Sequence, residues 1–134
     1  MWAYGLVDYE NPIVAKEVNE KLFEETLGSH WDERCSLVTN LYADLPRLEA
    51  PGFTTHRLLH DDLNCTMPLD CTQDELIGYI RSWSGYNSYC QEKQIQAKSQ
   101  DDPAQQLADI LEKENIHVIR GRYPLVVLLS RKDA

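Results

Sequence analysis

Residues 125–129, Leu-Val-Val-Leu-Leu, are the longest uninterrupted apolar stretch of the chain. A strand with one face in water alternates apolar and polar side chains, because successive side chains point to opposite faces. This run does not alternate. It suits a strand buried on both faces, in the middle of a helix-covered sheet, and predicts a central strand over 124–130. It is far shorter than the ~20 residues needed to cross a bilayer. At 134 residues the chain is expected to form one α/β domain or slightly less.

Two further strands and two pairs of helices complete the expected order. The aromatic and apolar opening Trp2-Ala3-Tyr4-Gly5-Leu6-Val7 predicts a strand over 1–7, cut short at its start. Asn11 is a natural N-cap with Pro12 at the first helical position. Val14, Val18, Leu22 and Phe23 keep helical spacing to a stop near Gly28, and a second helix follows from about Asp32 to before Pro46, so 11–45 reads as helical. Pro51-Gly52 bounds a β-branched and aromatic run that predicts a strand over 53–60. Thr72 and Glu75 have the spacing of a capping box, in which the Thr hydroxyl accepts the third residue's N–H and the Glu reaches back. The helix it opens places Leu76, Ile80, Trp83 and Asn87 along one stripe. A polar linker leads to Asp102-Pro103, a second cap-plus-proline start, so 72–115 reads as helical. A three-stranded sheet is marginal as a free-standing core and is expected to leave apolar surface for a partner, a dimer or a missing half.

Charge narrows the functional classes. Thirteen Lys and Arg against 22 Asp and Glu give a net charge of -9, which repels nucleic acid and anionic membrane surfaces alike. No basic, apolar, small-residue segment opens the chain, so a cytoplasmic protein with reduced thiols is expected, and the Asn64-Cys65-Thr66 sequon reads as coincidence. Cys35, Cys65, Cys71 and Cys90 form no CxxC pair. His56 and His60 share a strand face at metal-ligand distance in sequence, but lack the paired ligands of a zinc site, and no metal is expected. The acidic pairs Glu24-Glu25, Asp61-Asp62 and Asp101-Asp102 read as solvated caps and helix faces. The glycines are scattered singly. No Gly-x-Gly turn, P-loop, GxSxG elbow or HExxH pair occurs. Tyr79, Trp83, Tyr86 and Tyr89 are spaced three or four apart, which suits either packing against the sheet or the aromatic wall of a small-molecule pocket.

The segment Leu76-Ile77-Gly78-Tyr79-Ile80-Arg81-Ser82-Trp83-Ser84-Gly85-Tyr86 resembles the cap helix of class I S-adenosylmethionine-dependent methyltransferases, in the branch with trans-aconitate methyltransferases and embryo-abundant-type proteins. Trp2-Ala3-Tyr4-Gly5 resembles the end of that branch's fifth strand. His30-Trp31, Leu41-Tyr42-Ala43-Asp44-Leu45-Pro46 and Tyr123-Pro124-Leu125-Val126-Val127-Leu128-Leu129-Ser130-Arg131-Lys132 resemble three further elements in the same order. The resemblance implies a partial Rossmann-like sheet, family strands 5-7-6, with a helical substrate cap and with the last strand in the middle. It implies that the first four strands, the glycine-rich loop and the ribose-binding acid stand in an N-terminal half that is missing here. S-adenosylmethionine is the implied cofactor, with most of its site absent. Tyr4, Trp31, Trp83 and Tyr86 are the implied lining of a site for a small acceptor, a class that includes carboxylic acids.

Three functions fit that resemblance. One is a truncated methyltransferase that works with its other half. Another is a cofactor-free relative that binds a small molecule, of cyclase or isomerase type. The third is a non-catalytic subunit that completes its sheet with a second copy or a partner chain.

Overall fold

The structure is a computed structural model that describes residues 2–44, 51–64 and 66–133. The expected residues Leu45-Pro46 and Cys65 lie outside the described residues. Two compact units divide the chain: Met1–Asp8 with Arg34–Pro68 and Arg122–Ala134, and Tyr9–Glu33 with Leu69–Gly121.

The first unit carries a sheet of three strands, β1 (Trp2–Tyr4), β3 (Phe53–Leu59) and β6 (Leu125–Lys132), in the order β1-β6-β3. Both outer strands run antiparallel to β6, with Trp2 opposite Val127, Tyr4 opposite Leu125 and Leu59 opposite Val126. The last strand is thus central, as the apolar run and the resemblance both imply. Its cover is less complete than expected. Val126 is fully buried, whereas Leu129 is 49% exposed and Phe53, at the far end of β3, 45% exposed. An unalternating sequence fixes the strand's place in the ladder, but burial of both faces also needs layers above and below, and β6 is exposed from Leu129 onward. At that end polar side chains join the strands instead: the Thr55 and Ser130 hydroxyls lie 2.9 Å apart and Thr54 Oγ1 donates to Asp133 at 2.8 Å.

The helix expected from Asp32 contracts to α2 (Cys35–Thr39). Its N-cap position, Arg34, makes no capping bond, and Leu41 and Tyr42 both adopt left-handed φ values of 52° and 58°, which stop a right-handed helix. Arg57 rewards that turn. Its guanidinium donates to the Leu41 carbonyl at 2.6 Å and, more weakly, to that of Asn40. Gly5 lies under Leu41, where a Cβ would stand 2.5 Å from a Leu41 methyl and would have to push that side chain aside. At the end of β3 the chain leaves the strand at Leu59 and makes one turn, α3 (His60–Leu63).

The second unit is mostly helical. Asn11 Oδ1 accepts the backbone N–H of Ile13 and Val14 and starts α1 (Pro12–Ala15). The helix then widens into a π-helix over Lys16–Thr26 and closes with Leu27 N–H on Leu22 O. Val14, Val18, Leu22 and Leu27, all buried, are four, four and five residues apart, the spacing of a turn wider than α. Gly28, the expected stop, opens a single 3-10 turn, Gly28–His30. Helices α4 (Gln73–Arg81), α5 (Ser84–Lys93) and α6 (Pro103–Lys113) follow. The capping box forms as the sequence requires: Thr72 N–H donates to Glu75 at 2.8 Å and Glu75 N–H to Thr72 Oγ1 at 3.3 Å. The single stripe from Leu76 to Asn87 does not form. The helix ends at Arg81, Trp83 is extended (ψ 136°), and a new helix begins at Ser84. The break is held by side chains, with Ser82 Oγ donating to the Tyr79 carbonyl and Asn87 Nδ2 to those of Arg81 and Trp83. Leu76, Ile80, Leu107, Leu111 and Ile119 make up the middle of this unit's core. A second sheet, β2 (Asp8–Tyr9), β5 (Val118–Tyr123) and β4 (Met67–Thr72) in the order β2-β5-β4, has its larger share here and was not expected from the sequence.

Candidate functional site

Four rings of the second unit converge where the π-helix, the 3-10 turn and the α4–α5 break meet. Phe23 and Trp31 stack with centroids 4.5 Å apart, and Trp83 stands 5.8 Å edge-on to Phe23 and 5.7 Å from Trp31. Tyr79 meets Trp83 edge-on at 5.7 Å and is 43% exposed. Trp31 is anchored through its indole N–H, which donates to the Phe23 carbonyl at 2.9 Å. Gly85 makes that position possible, since a Cβ there would stand 2.7 Å from the Trp31 ring. The break at Ser82–Trp83 is what turns Trp83 into this group. A continuous helix would carry it on with Ile80.

Of the four residues expected to line a site, Trp31 and Trp83 come together in this cluster. Tyr86 lies in the same unit but turns inward, 4% exposed, with its hydroxyl committed to Asp102. Tyr4 belongs to the other unit, where its ring meets Tyr123 edge-on at 5.1 Å. Phe23 was not singled out by the sequence reading. Its place in the helical repeat gave core packing as its simplest role, and only the 3-10 turn after Leu27 brings Trp31 back onto it.

Asp102 was also misplaced by the sequence reading. Counted there among solvated acids, it is fully buried, with Tyr86 Oη donating to Oδ1 at 3.0 Å, Ala104 N–H to Oδ1 at 2.8 Å, Lys98 N–H to Oδ2 at 2.7 Å and Arg81 Nη2 to Oδ2 at 3.1 Å. Its role as the N-cap of α6 was legible; its desolvation was not. Burial pushes the carboxyl up, but the Lys98 and Ala104 N–H groups, with Arg81 and Tyr86, outweigh this and hold it below the ordinary aspartate value. The Tyr86 phenol is raised, by burial first and then by its bonds to Cys90 and Asp102. Burial also raises the Cys90 and Cys71 thiols, so neither is activated as a nucleophile. Cys35, Cys71 and Cys90 form no disulfide. This network stiffens the floor under α5 and offers no reactive group.

His56 stays on β3 while His60 begins α3, so the two do not share a strand. No group of three or more His, Cys, Asp or Glu side chains among the described residues is placed to hold a metal ion. No described helix is long and apolar enough to cross a membrane. A cavity of about 570 Å³ in the second unit is lined by Asp74, Asp109 and Glu112 with Arg81 and Lys98, apart from the four expected residues.

No family model matches the chain. A protein of Dictyostelium discoideum that is provisionally named a methyltransferase is 25% identical over 147 residues, an alignment taking in 99% of this chain and 48% of that protein. A solved structure from Anaeromyxobacter dehalogenans, provisionally described as a type II methyltransferase, is similar with a TM-score of 0.61 at 20% identity, covering 98% of this chain and 50% of that one. The chain spans about half the length of the curated relative it matches. On the order β1-β6-β3 and this likeness together, the fold of the chain is methyltransferase-like.

Proposed function

We propose that the chain is the acceptor-side part of an S-adenosylmethionine-dependent methyltransferase, with Trp31, Tyr79 and Trp83, backed by the buried Phe23, as the wall against which a small acceptor, such as a carboxylic acid, is seated. The observation that carries this reading is the Trp31–Trp83 pair. Two residues 52 positions apart in sequence are brought to 5.7 Å, each fixed by a specific device, Gly85 for one and the Ser82–Trp83 break for the other. Methyl transfer from a sulfonium depends chiefly on holding the acceptor in line, which rigid aromatic walls do well. Tyr86, held by Asp102, and Tyr4, in its own unit, are separate candidate contacts.

The cofactor fits these residues poorly. A glycine with open space above it lets a ligand approach the backbone closely, yet the two crowded glycines here are occupied, Gly5 by Leu41 and Pro124 and Gly85 by Trp31. No step through S-adenosylmethionine is therefore derived from these side chains, and its site falls to residues other than these. The test is a titration of the folded chain, followed by tryptophan fluorescence and calorimetry, with trans-aconitate and with S-adenosylmethionine. Saturable binding of trans-aconitate, lost at least about tenfold in Tyr79→Ala and in Trp83→Phe, is expected, with no comparable binding of S-adenosylmethionine alone. A folded chain that binds no acceptor, or binds it unchanged in both variants, overturns the reading.

A second reading, a subunit that completes its sheet with another chain, is favoured by the exposed Phe53 and Leu129 on adjacent strands. Sedimentation that shows a monomer at every concentration, with and without candidate partners, would remove it.

A further inference from the structure

Beside the aromatic cluster, and unused by the acceptor reading, three polar side chains form a chain of hydrogen bonds. His30 Nε2 lies 2.9 Å from Glu92 Oε2 on α5, and His30 Nδ1 lies 3.1 Å from Ser29 Oγ. Ser29 and His30 are neighbours in the 3-10 turn, but Glu92 is 62 residues away in sequence, so the third member is supplied by the fold. The ring is held from the side as well, edge-on to Tyr89 at 5.1 Å, and its side chain is only 10% exposed.

The proton inventory fixes the direction of this chain. Lys93, 3.3 Å from the other Glu92 oxygen, and then His30 hold the Glu92 carboxyl below the ordinary glutamate value. An ionised carboxylate can only accept, so the imidazole nitrogen facing it carries the proton. In the neutral ring the other nitrogen, Nδ1, is then a lone pair, and it faces the Ser29 hydroxyl. A hydroxyl, a base within hydrogen-bond reach and a third group that orients the base make up the arrangement that activates a serine. The Ser29 side of it is exposed to solvent, where an acyl donor can reach it.

We propose that Ser29, His30 and Glu92 form a nucleophile–base–carboxylate relay that accepts acyl groups from small activated esters and hydrolyses them. Ser29 Oγ forms a bond to the acyl carbon as its proton passes to His30 Nδ1. The ester C–O bond breaks, and the leaving oxygen departs with its electron pair and takes the proton from His30. Water then attacks the acyl-serine with His30 again as base, releasing the carboxylic acid and restoring Ser29. The net reaction consumes one ester and one water.

The experiment uses the whole chain with p-nitrophenyl acetate, followed by release of p-nitrophenolate and by mass spectrometry of the acylated peptide. The relay requires an acetyl group on Ser29. It requires loss of that adduct in Ser29→Ala, a fall in acylation rate of about 100-fold in His30→Gln, and one of about tenfold in Glu92→Gln. The double variant Ser29→Ala/His30→Gln should be no slower than the worse single one, because members of one relay do not add. Circular dichroism of each variant controls for folding, and all three positions are at least partly exposed. An adduct found on a lysine or histidine instead, or a Ser29 adduct formed at an unchanged rate in folded His30→Gln, overturns the proposal.

Discussion

Asp102 shows how much one side chain can carry. It satisfies the Ala104 N–H at the start of α6, the Lys98 N–H of the preceding turn, a guanidinium and a phenol, so removing it strands four donors at once. Asp102→Ala should cost about 3–5 kcal/mol in urea unfolding, the range for breaking a buried charged pair, and Tyr86→Phe about 1 kcal/mol, the usual value of one hydrogen bond. The pH dependence has a definite sign. A carboxyl held below its unfolded value adds stability above that value, near pH 4, and loses it as pH falls through the lower folded one. The difference between the chain and Asp102→Asn should therefore be full at pH 7 and shrink below about pH 4, which unfolding curves at pH 7, 5 and 3 will show. At Gly85 the expectation is equally local. Ala there meets the Trp31 ring at 2.7 Å, so Gly85→Ala should cost about 1–3 kcal/mol and shift the tryptophan emission, despite the better helix former. An unchanged emission maximum would mean that Trp31 is not held where the cluster places it.

Elements were legible in the sequence where their signals are local. The Asn11-Pro12 start and the Thr72–Glu75 box are satisfied within three residues, so no tertiary contact can overrule them. Thr72→Ala should accordingly cost about 1 kcal/mol by denaturant titration, and a loss below a few tenths would show that the box contributes no more than solvent does. The central place of β6 was legible from its unalternating run. What the sequence hid depends on partners far along the chain. Ser82-Trp83 contains neither glycine nor proline, and the break there is visible only once Asn87 is seen holding two carbonyls. The π-helix was written in the four, four, five spacing of Val14, Val18, Leu22 and Leu27, a period outside the α and β templates. The strand β5, with the sequence Val-Ile-Arg-Gly-Arg-Tyr, is polar enough to read as a loop until β2 and β4 flank it. The aromatic site was half legible for the same reason. Helical spacing grouped Trp83 with Tyr86, whereas the structure gathers Trp83 and Trp31 between a buried Phe23 and an exposed Tyr79 and commits the Tyr86 hydroxyl to Asp102.

Across the whole molecule the buried apolar residues are unevenly shared. Among the described residues, the unit with the β1-β6-β3 sheet holds Val7 and Val126, while the helical unit holds Val14, Val18, Leu22, Leu27, Leu76, Ile80, Leu107, Leu111, Ile119 and others. Native-state hydrogen exchange should therefore find its slowest amides in α4, α6 and the π-helix, with β1 and β3 exchanging through openings of lower free energy. Equal protection in both would show a single cooperative unit in place of two. The order of the sheet also bears on the protein's birth. Strand β6 pairs with both β1 and β3, and it leaves the ribosome after them. Trp2–Tyr4 emerges before both and waits for its partner in this sheet while residues 5–124 are made, with Phe53–Leu59 waiting for the same strand. Two unsatisfied strands on a nascent chain are targets for chaperones and for each other. The sheet closes only once its central strand has been made, after both of the strands it joins.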